Sequence, residues 1–139
     1  MNRRSFFPAL AGLLGAAGAV STVRAQAPAA AGAGPIVLYC DLAVDPAREQ
    51  EMLQAFRTVF KPTAQRHKGY IDLKMLKLRT VLQGGPKPPP GVNYRFQLTY
   101  ENEDLRQNWV KSDDHQRVWP LIENTVLNKD YIVLLTDSV

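Results

Sequence analysis

The sequence predicts an α+β domain in which two helices pack on one face of a four-stranded antiparallel sheet, and three observations carry that expectation. Four apolar stretches of strand length alternate with two helical stretches in the order strand, helix, strand, strand, helix, strand. One of the strands, Tyr94 to Tyr100, alternates apolar and polar residues without a break. The first and last strands are apolar on both faces, although two helices can cover only one face of such a sheet. A chain of 139 residues with one cysteine and ten prolines has room for one ordinary domain.

Taken in order, Ile36 to Val44 is a nearly continuous apolar run and reads as a central strand covered on both faces. Asp45 can cap a helix and Pro46 suits its first position. Met52, Phe56, Val59 and Phe60 then recur at helical spacing until Pro62 bends or ends the helix. Gly69 stops the chain, and Tyr70 to Arg79 reads as the second strand. Its alternation slips between Leu73 and Leu76, so a β-bulge near Lys74 to Leu76, or burial on both sides, is expected. Residues 83–91 (Gln-Gly-Gly-Pro-Lys-Pro-Pro-Pro-Gly) cannot sustain a ladder and read as a projecting loop, either a plain connection or a lid or arm.

After the third strand, Asn102 to Lys111 opens a helical region with Leu105 and Trp109 four apart. Ser112 offers a fresh cap, with Asp113 and Asp114 in the first turn of a further segment carrying the stripe His115, Trp119, Ile122 and Val126. Asn128-Lys129-Asp130 turns the chain into the fourth strand, Tyr131 to Thr136. This order is the split βαβ plan of a ferredoxin-like α+β sandwich. The uncovered sheet face calls for a homodimer in which two sheets meet face to face.

The first residues have a different character. Arg3-Arg4 precede Ser5-Phe6-Phe7, a weakly apolar run of Ala, Leu, Gly and Val, and a zone of small residues. Residues 1–27 therefore read as a twin-arginine-type signal peptide, which implies export to the periplasm or beyond. Cleavage is expected after Ala27, with Ala25 as the alternative, and the stretch is too short and too rich in glycine and alanine for a stable membrane anchor. Loss of Arg3, Arg4 and Arg24 lowers the formal charge of +4 by three, so the mature domain is nearly neutral and offers no electrostatic footprint for nucleic acid. Residues 28–35 read as a flexible lead-in, and the domain as 36–139. Cys40 has no partner for an intramolecular disulfide and reads as a small buried hydrophobe.

Chemistry is concentrated around the helix break. Ser112, His115 and Trp119 lie at i, i+3 and i+7 and can share one helical face, which Tyr100 at the end of the third strand could close. An aromatic wall with one imidazole suits a flat, electron-rich ring, with His115 taking a phenolic proton. The competing reading makes His115 a capping or solvent-facing residue, and Trp109 and Trp119 core fillers rather than substrate platforms. His67 suits a helix end. Asp41, the carboxylate within the apolar first strand, must meet a partner or face a cavity. No set of His, Cys and carboxylates has metal-ligand spacing, so no metal is expected. Neither a nucleophilic triad nor a phosphate-binding loop is visible.

Tyr94 to Tyr100, then Trp109 to His115, then Trp119-Pro120 resemble the antibiotic biosynthesis monooxygenase group of the dimeric α/β barrel superfamily, over roughly Ile36 to Val139. The resemblance implies a cofactor-independent monooxygenase of quinols or phenols; on the reading of the residues themselves, His115 is the catalytic base and Tyr100, Trp109, Ser112, Trp119 and Asp41 bind the substrate. The alternative is a module on the same fold that binds or senses a small aromatic ligand without turnover. A third reading is a purely structural dimer whose pocket is closed by side chains. Polar Arg95, Gln97 and Thr99 bear on the choice, because a wet interface would point to a cavity. Haem degradation is the less favoured activity, since the positions near Cys40 or Asp41, Tyr100 and Trp119 lack that activity's Asn, Trp and axial His.

Overall fold

The computed structural model of the chain describes residues 34–84 and 91–139. The expected signal peptide, most of the lead-in and residues 85–90 of the Pro-rich loop lie outside the described residues. The strands are β1 (Ile36–Leu42), β2 (Tyr70–Lys77), β3 (Tyr94–Tyr100) and β4 (Ile132–Asp137), in the sheet order β2-β3-β1-β4 with all neighbours antiparallel. This is the ferredoxin-like α+β arrangement that the element order predicts.

Between β1 and β2 the chain is helical, but not as one regular helix. Asp45 accepts the Ala47 N–H at 2.9 Å and Pro46 opens a 3-10 turn (Pro46–Arg48) that leads into α1 (Glu49–Ala55). A π-helical turn (Phe56–Phe60) follows, and α2 (Lys61–Ala64) completes the segment. The Lys61 N–H reaches back to the Phe56 carbonyl, five residues away. Pro62 explains the widening: it has no N–H for the Thr58 carbonyl, and its ring would crowd that carbonyl in a regular turn. The widened turn directs both Phe56 and Phe60 into the core.

The bulge in β2 falls between Tyr70 and Asp72, not near Lys74 to Leu76. It places Ile71 outward and aligns Leu73 with Leu98 and Met75 with Phe96 on the helix side, so the apparent slip in the sequence is an early irregularity followed by regular pairing. β3 is as regular as its alternation implies, with Tyr94, Phe96, Leu98 and Tyr100 all buried.

The second helical region breaks where Ser112 sits. α3 (Glu103–Lys111) is capped by Asn102, whose Oδ1 accepts the Leu105 N–H at 2.9 Å. α4 (Asp113–Glu123) is capped by Ser112, whose Oγ accepts the His115 N–H at 3.1 Å and donates to the Trp109 carbonyl at 2.6 Å. The break turns one long amphipathic stretch into two helices that converge on β1 and β3. Their inner residues Trp109, Val118 and Ile122 join Leu38, Leu42, Met52, Phe60 and Phe96 in one core.

The helices cover one sheet face only. β1 is central, yet its burial alternates: Ile36, Leu38, Cys40 and Leu42 are buried, whereas Val37, Tyr39 and Asp41 on the reverse face are half-buried. The expectation of a strand covered on both sides therefore fails for the single chain. β4 lies at the sheet edge beyond the reach of the helices, and Ile132, Val133, Leu134 and Leu135 are exposed over 47–51% of their surface. Among the described residues no helix is long and apolar enough to cross a membrane.

Candidate functional site

The helix face of the sheet leaves a gap between α3, α4 and the β1 and β4 strands. A cavity of about 170 Å³ opens there, lined on the helical side by Arg106, Trp109, Val110, His115 and Trp119. The sheet side supplies Leu38, Cys40, Phe96, Leu98 and Val133, and Tyr131 stands at the β4 end. Val133, paired with Cys40 across β1 and β4, is 51% exposed, so the cavity is open on the β4 side. Its volume is that of a site for one aromatic ring, since a dry cavity of about 150 Å³ accepts benzene.

His115 stands in a nest of rings. The Trp109 ring lies edge-on at 5.0 Å between centroids, the Trp119 ring is parallel at 6.1 Å, and Phe60 completes the enclosure at 6.5 Å. Burial pushes the imidazole pKa below its ordinary value, and the positive charge of Arg106 pushes it in the same direction. His115 is thus neutral at pH 7. Among the described residues neither of its ring nitrogens has a hydrogen-bond partner, so a ligand can claim one.

The other polar groups of the wall are occupied to different degrees. Arg106 is held by Glu103, with Nε and Nη2 donating to the two carboxylate oxygens at 2.6 and 2.7 Å. The Tyr131 hydroxyl donates to Glu123 at 2.5 Å, and burial together with that bond pushes its pKa up to about 12. The Cys40 thiol is raised to about 12, chiefly by burial and secondarily by Asp41, so it stays protonated and unreactive. His67 lies outside the cavity but supports it. Its Nε2 meets Asp114 Oδ2 at 2.9 Å and its ring packs on the far side of Trp109 at 4.7 Å, tying the end of α2 to the start of α4. That contact holds the Asp114 carboxyl below the usual carboxylate range.

Of the residues singled out in the sequence, His115, Trp109 and Trp119 come together at this cavity. The other three do not. Ser112 is spent as the cap that aims His115. Tyr100 is fully buried beneath Gly69 and Leu105, where its hydroxyl finds no partner among the described residues and burial raises its pKa to about 12. Asp41 faces the reverse side of the sheet because it is one residue from inward-pointing Cys40. There it accepts two hydrogen bonds from Arg95 at 2.7 and 3.1 Å, and Arg95 also lies over the Tyr39 ring at 4.8 Å. Arg106, Tyr131 and the inward row of β1 and β4 are site residues that the sequence reading passes over. Arg106 carried a signal: it precedes Trp109 and Val110 by three and four residues, on the same helical face. Among the described residues no three of His, Cys, Asp and Glu converge as a metal group.

No protein-family model matches the chain, and a comparison with curated proteins finds no match. Solved structures do share its architecture. A candidate antibiotic biosynthesis monooxygenase from Caulobacter crescentus superposes with a TM-score of 0.60 at 15% identity, covering 78% of this chain and 92% of that one. Another so named from Bordetella bronchiseptica gives 0.60 at 17% identity over 76% and 98%. A dimeric ferredoxin-like protein of unknown function from Jannaschia gives 0.63 at 14% over 76% and 100%. At these identities the likeness shows the fold alone: the described chain shares the ferredoxin-like α+β fold of these proteins.

Proposed function

We propose that this chain is an exported monooxygenase of small phenols or quinols, working without a bound cofactor. One observation carries the reading: a neutral, desolvated imidazole with no partner of its own faces a cavity of single-ring size walled by two tryptophans. A phenol stacked against Trp119 can pass its proton to His115, and the resulting phenolate is far easier to oxidise by dioxygen than the phenol. For a phenol with a free para carbon, the ring loses four electrons to O2. One oxygen atom enters the ring as the second quinone carbonyl and the other leaves as water, so His115 returns its proton by the end of the cycle. The names of several fold neighbours support this reaction class, and Arg3-Arg4 with the small residues up to Ala27 supports export by the twin-arginine route.

The same reading makes the reverse sheet face a contact with a second copy of the chain. Tyr39, Leu134, Ile132 and Leu76 supply apolar surface there, interleaved with Arg95, Gln97 and Thr99. The test of function is oxygen uptake by the purified mature protein over a panel of hydroquinones and phenols, without added metal or flavin. Uptake that falls by at least about a hundredfold in His115→Ala, the scale of a general base, supports the proposal. Uptake unchanged by that substitution refutes it, and saturable ring binding without uptake identifies a binding module instead.

A further inference from the structure

We propose that Arg106 is the anion-binding group of the cavity, and that the site holds its aromatic ligand as an oxyanion, a single ring whose ionised oxygen pairs with the guanidinium. This rests on the reading above for the identity of the cavity and deepens it by naming the charge state of the ligand. Among the described residues, Arg106 is the one cation in a wall otherwise made of apolar and neutral groups. Its side chain is only 17% exposed, so its charge acts with little screening by water. Its influence spans the cavity, reaching His115 on α4 and Cys40 on β1.

The hydrogen-bond arithmetic leaves Arg106 with capacity to spare. Glu103 takes the Nε hydrogen and one from Nη2, and Gln107 holds the same carboxylate from its other side at 2.9 Å. Of the five guanidinium hydrogens, the two on Nη1 and the second on Nη2 remain for a ligand. Glu103 therefore fixes the guanidinium without using it up. The other wall groups are uncharged: His115 is neutral, the Tyr131 hydroxyl hydrogen is committed to Glu123, the Cys40 thiol stays protonated, and the indole N–H groups of Trp109 and Trp119 and the imidazole N–H are neutral donors weaker than the guanidinium. The division of labour is that His115 receives the proton while Arg106 holds the charge left on oxygen.

The probe is 4-nitrophenol, whose ring fits the cavity and whose phenolate is distinguished from the phenol by its visible absorption. The nitro group blocks the para carbon and withdraws electrons, so the probe reports binding with no turnover. Binding is titrated across pH on the full mature protein, with Cys40, Glu103, His115, Tyr131 and Glu123 as the titratable groups at or next to the wall.

The wild-type protein is expected to bind the phenolate about tenfold more tightly than the phenol, the lower end of the effect of one nearby opposite charge, because Glu103 offsets part of Arg106. Arg106→Met abolishes the preference, and Arg106→Lys keeps part of it. Glu103→Gln, which removes the offsetting charge, raises the preference above wild type. A folding defect cannot mimic that increase, so this variant decides the matter if Arg106→Met does not fold. Equal binding of the two forms by wild type, no binding at all, or a preference unmoved in both Arg106→Met and Glu103→Gln overturns the proposal. Phenolate binding without oxygen uptake on competent phenols would refute the oxygenase reading and leave this inference standing.

Discussion

Replacing Gly69 by alanine tests the packing where β2 begins, because the structure gives both parts of the cost. Gly69 has φ +96°, a region in which an L side chain crowds its own backbone at about 1–2 kcal/mol. A Cβ there would lie 2.7 Å from Leu105 Cβ, 2.9 Å from Leu105 Cδ1 and 3.0 Å from Tyr100 Cδ2. The Cδ1 atom can rotate away. The Leu105 Cβ cannot, since it is anchored to α3, and Tyr100 is enclosed on all sides, so an overpacking cost of about 1–3 kcal/mol adds to the backbone cost. Gly69→Ala should therefore lose about 2–5 kcal/mol. Urea unfolding measures it as a lower midpoint with an unchanged slope. Gly91→Ala is the control: its φ of +85° carries the same backbone penalty, but among the described residues its Cβ would meet only Ala43 Cβ, at 3.4 Å. It should lose only about 1–2 kcal/mol. A Gly69→Ala loss no larger than that of Gly91→Ala would refute the account of Leu105 and Tyr100 as an unyielding wall.

Ser112→Ala removes the cap of α4 and the hydroxyl bond to the Trp109 carbonyl, and should cost about 1–2 kcal/mol in the same unfolding assay, with oxygen uptake falling because the first turn that carries His115 frays. The depressed His115 pKa has a signed consequence for stability. The folded protein resists protonation that the unfolded chain accepts, so a His115→Gln variant should lose less stability than wild type as the pH falls below the ordinary imidazole value of about 6.5, and the two should run parallel above it. Stability measured from pH 8 to pH 5 checks this, and an identical decline in both proteins would contradict a desolvated His115.

The local signals in the sequence were complete enough to place most elements. Asp45, Asn102 and Ser112 each have a side-chain oxygen at the right distance from a backbone N–H to start a helix, and all three do so. The alternation of β3 fixed which residues face inward because only one of its faces is apolar. β2 was harder. A bulge changes parity at one unpaired residue, and the pattern records that a change occurs without recording that Tyr70 to Asp72, rather than Lys74 to Leu76, is where the ladder yields.

What the sequence by itself determined is the set of segments, their caps, the fold plan and the shared helical face of His115 and Trp119, all consequences of spacing along one chain direction. Tertiary structure decided the rest. β1 is apolar on both faces, so parity alone could not say that Cys40 would turn inward to the cavity and Asp41 outward to Arg95; only packing of the helices against one face settles that. The cavity is formed by residues far apart in sequence, with Cys40, Arg106 and Tyr131 meeting only in the folded chain. Spacing to Trp109 and Val110 places Arg106 on the inner face of α3, but that its charge meets Glu103 and the cavity is a property of the folded arrangement.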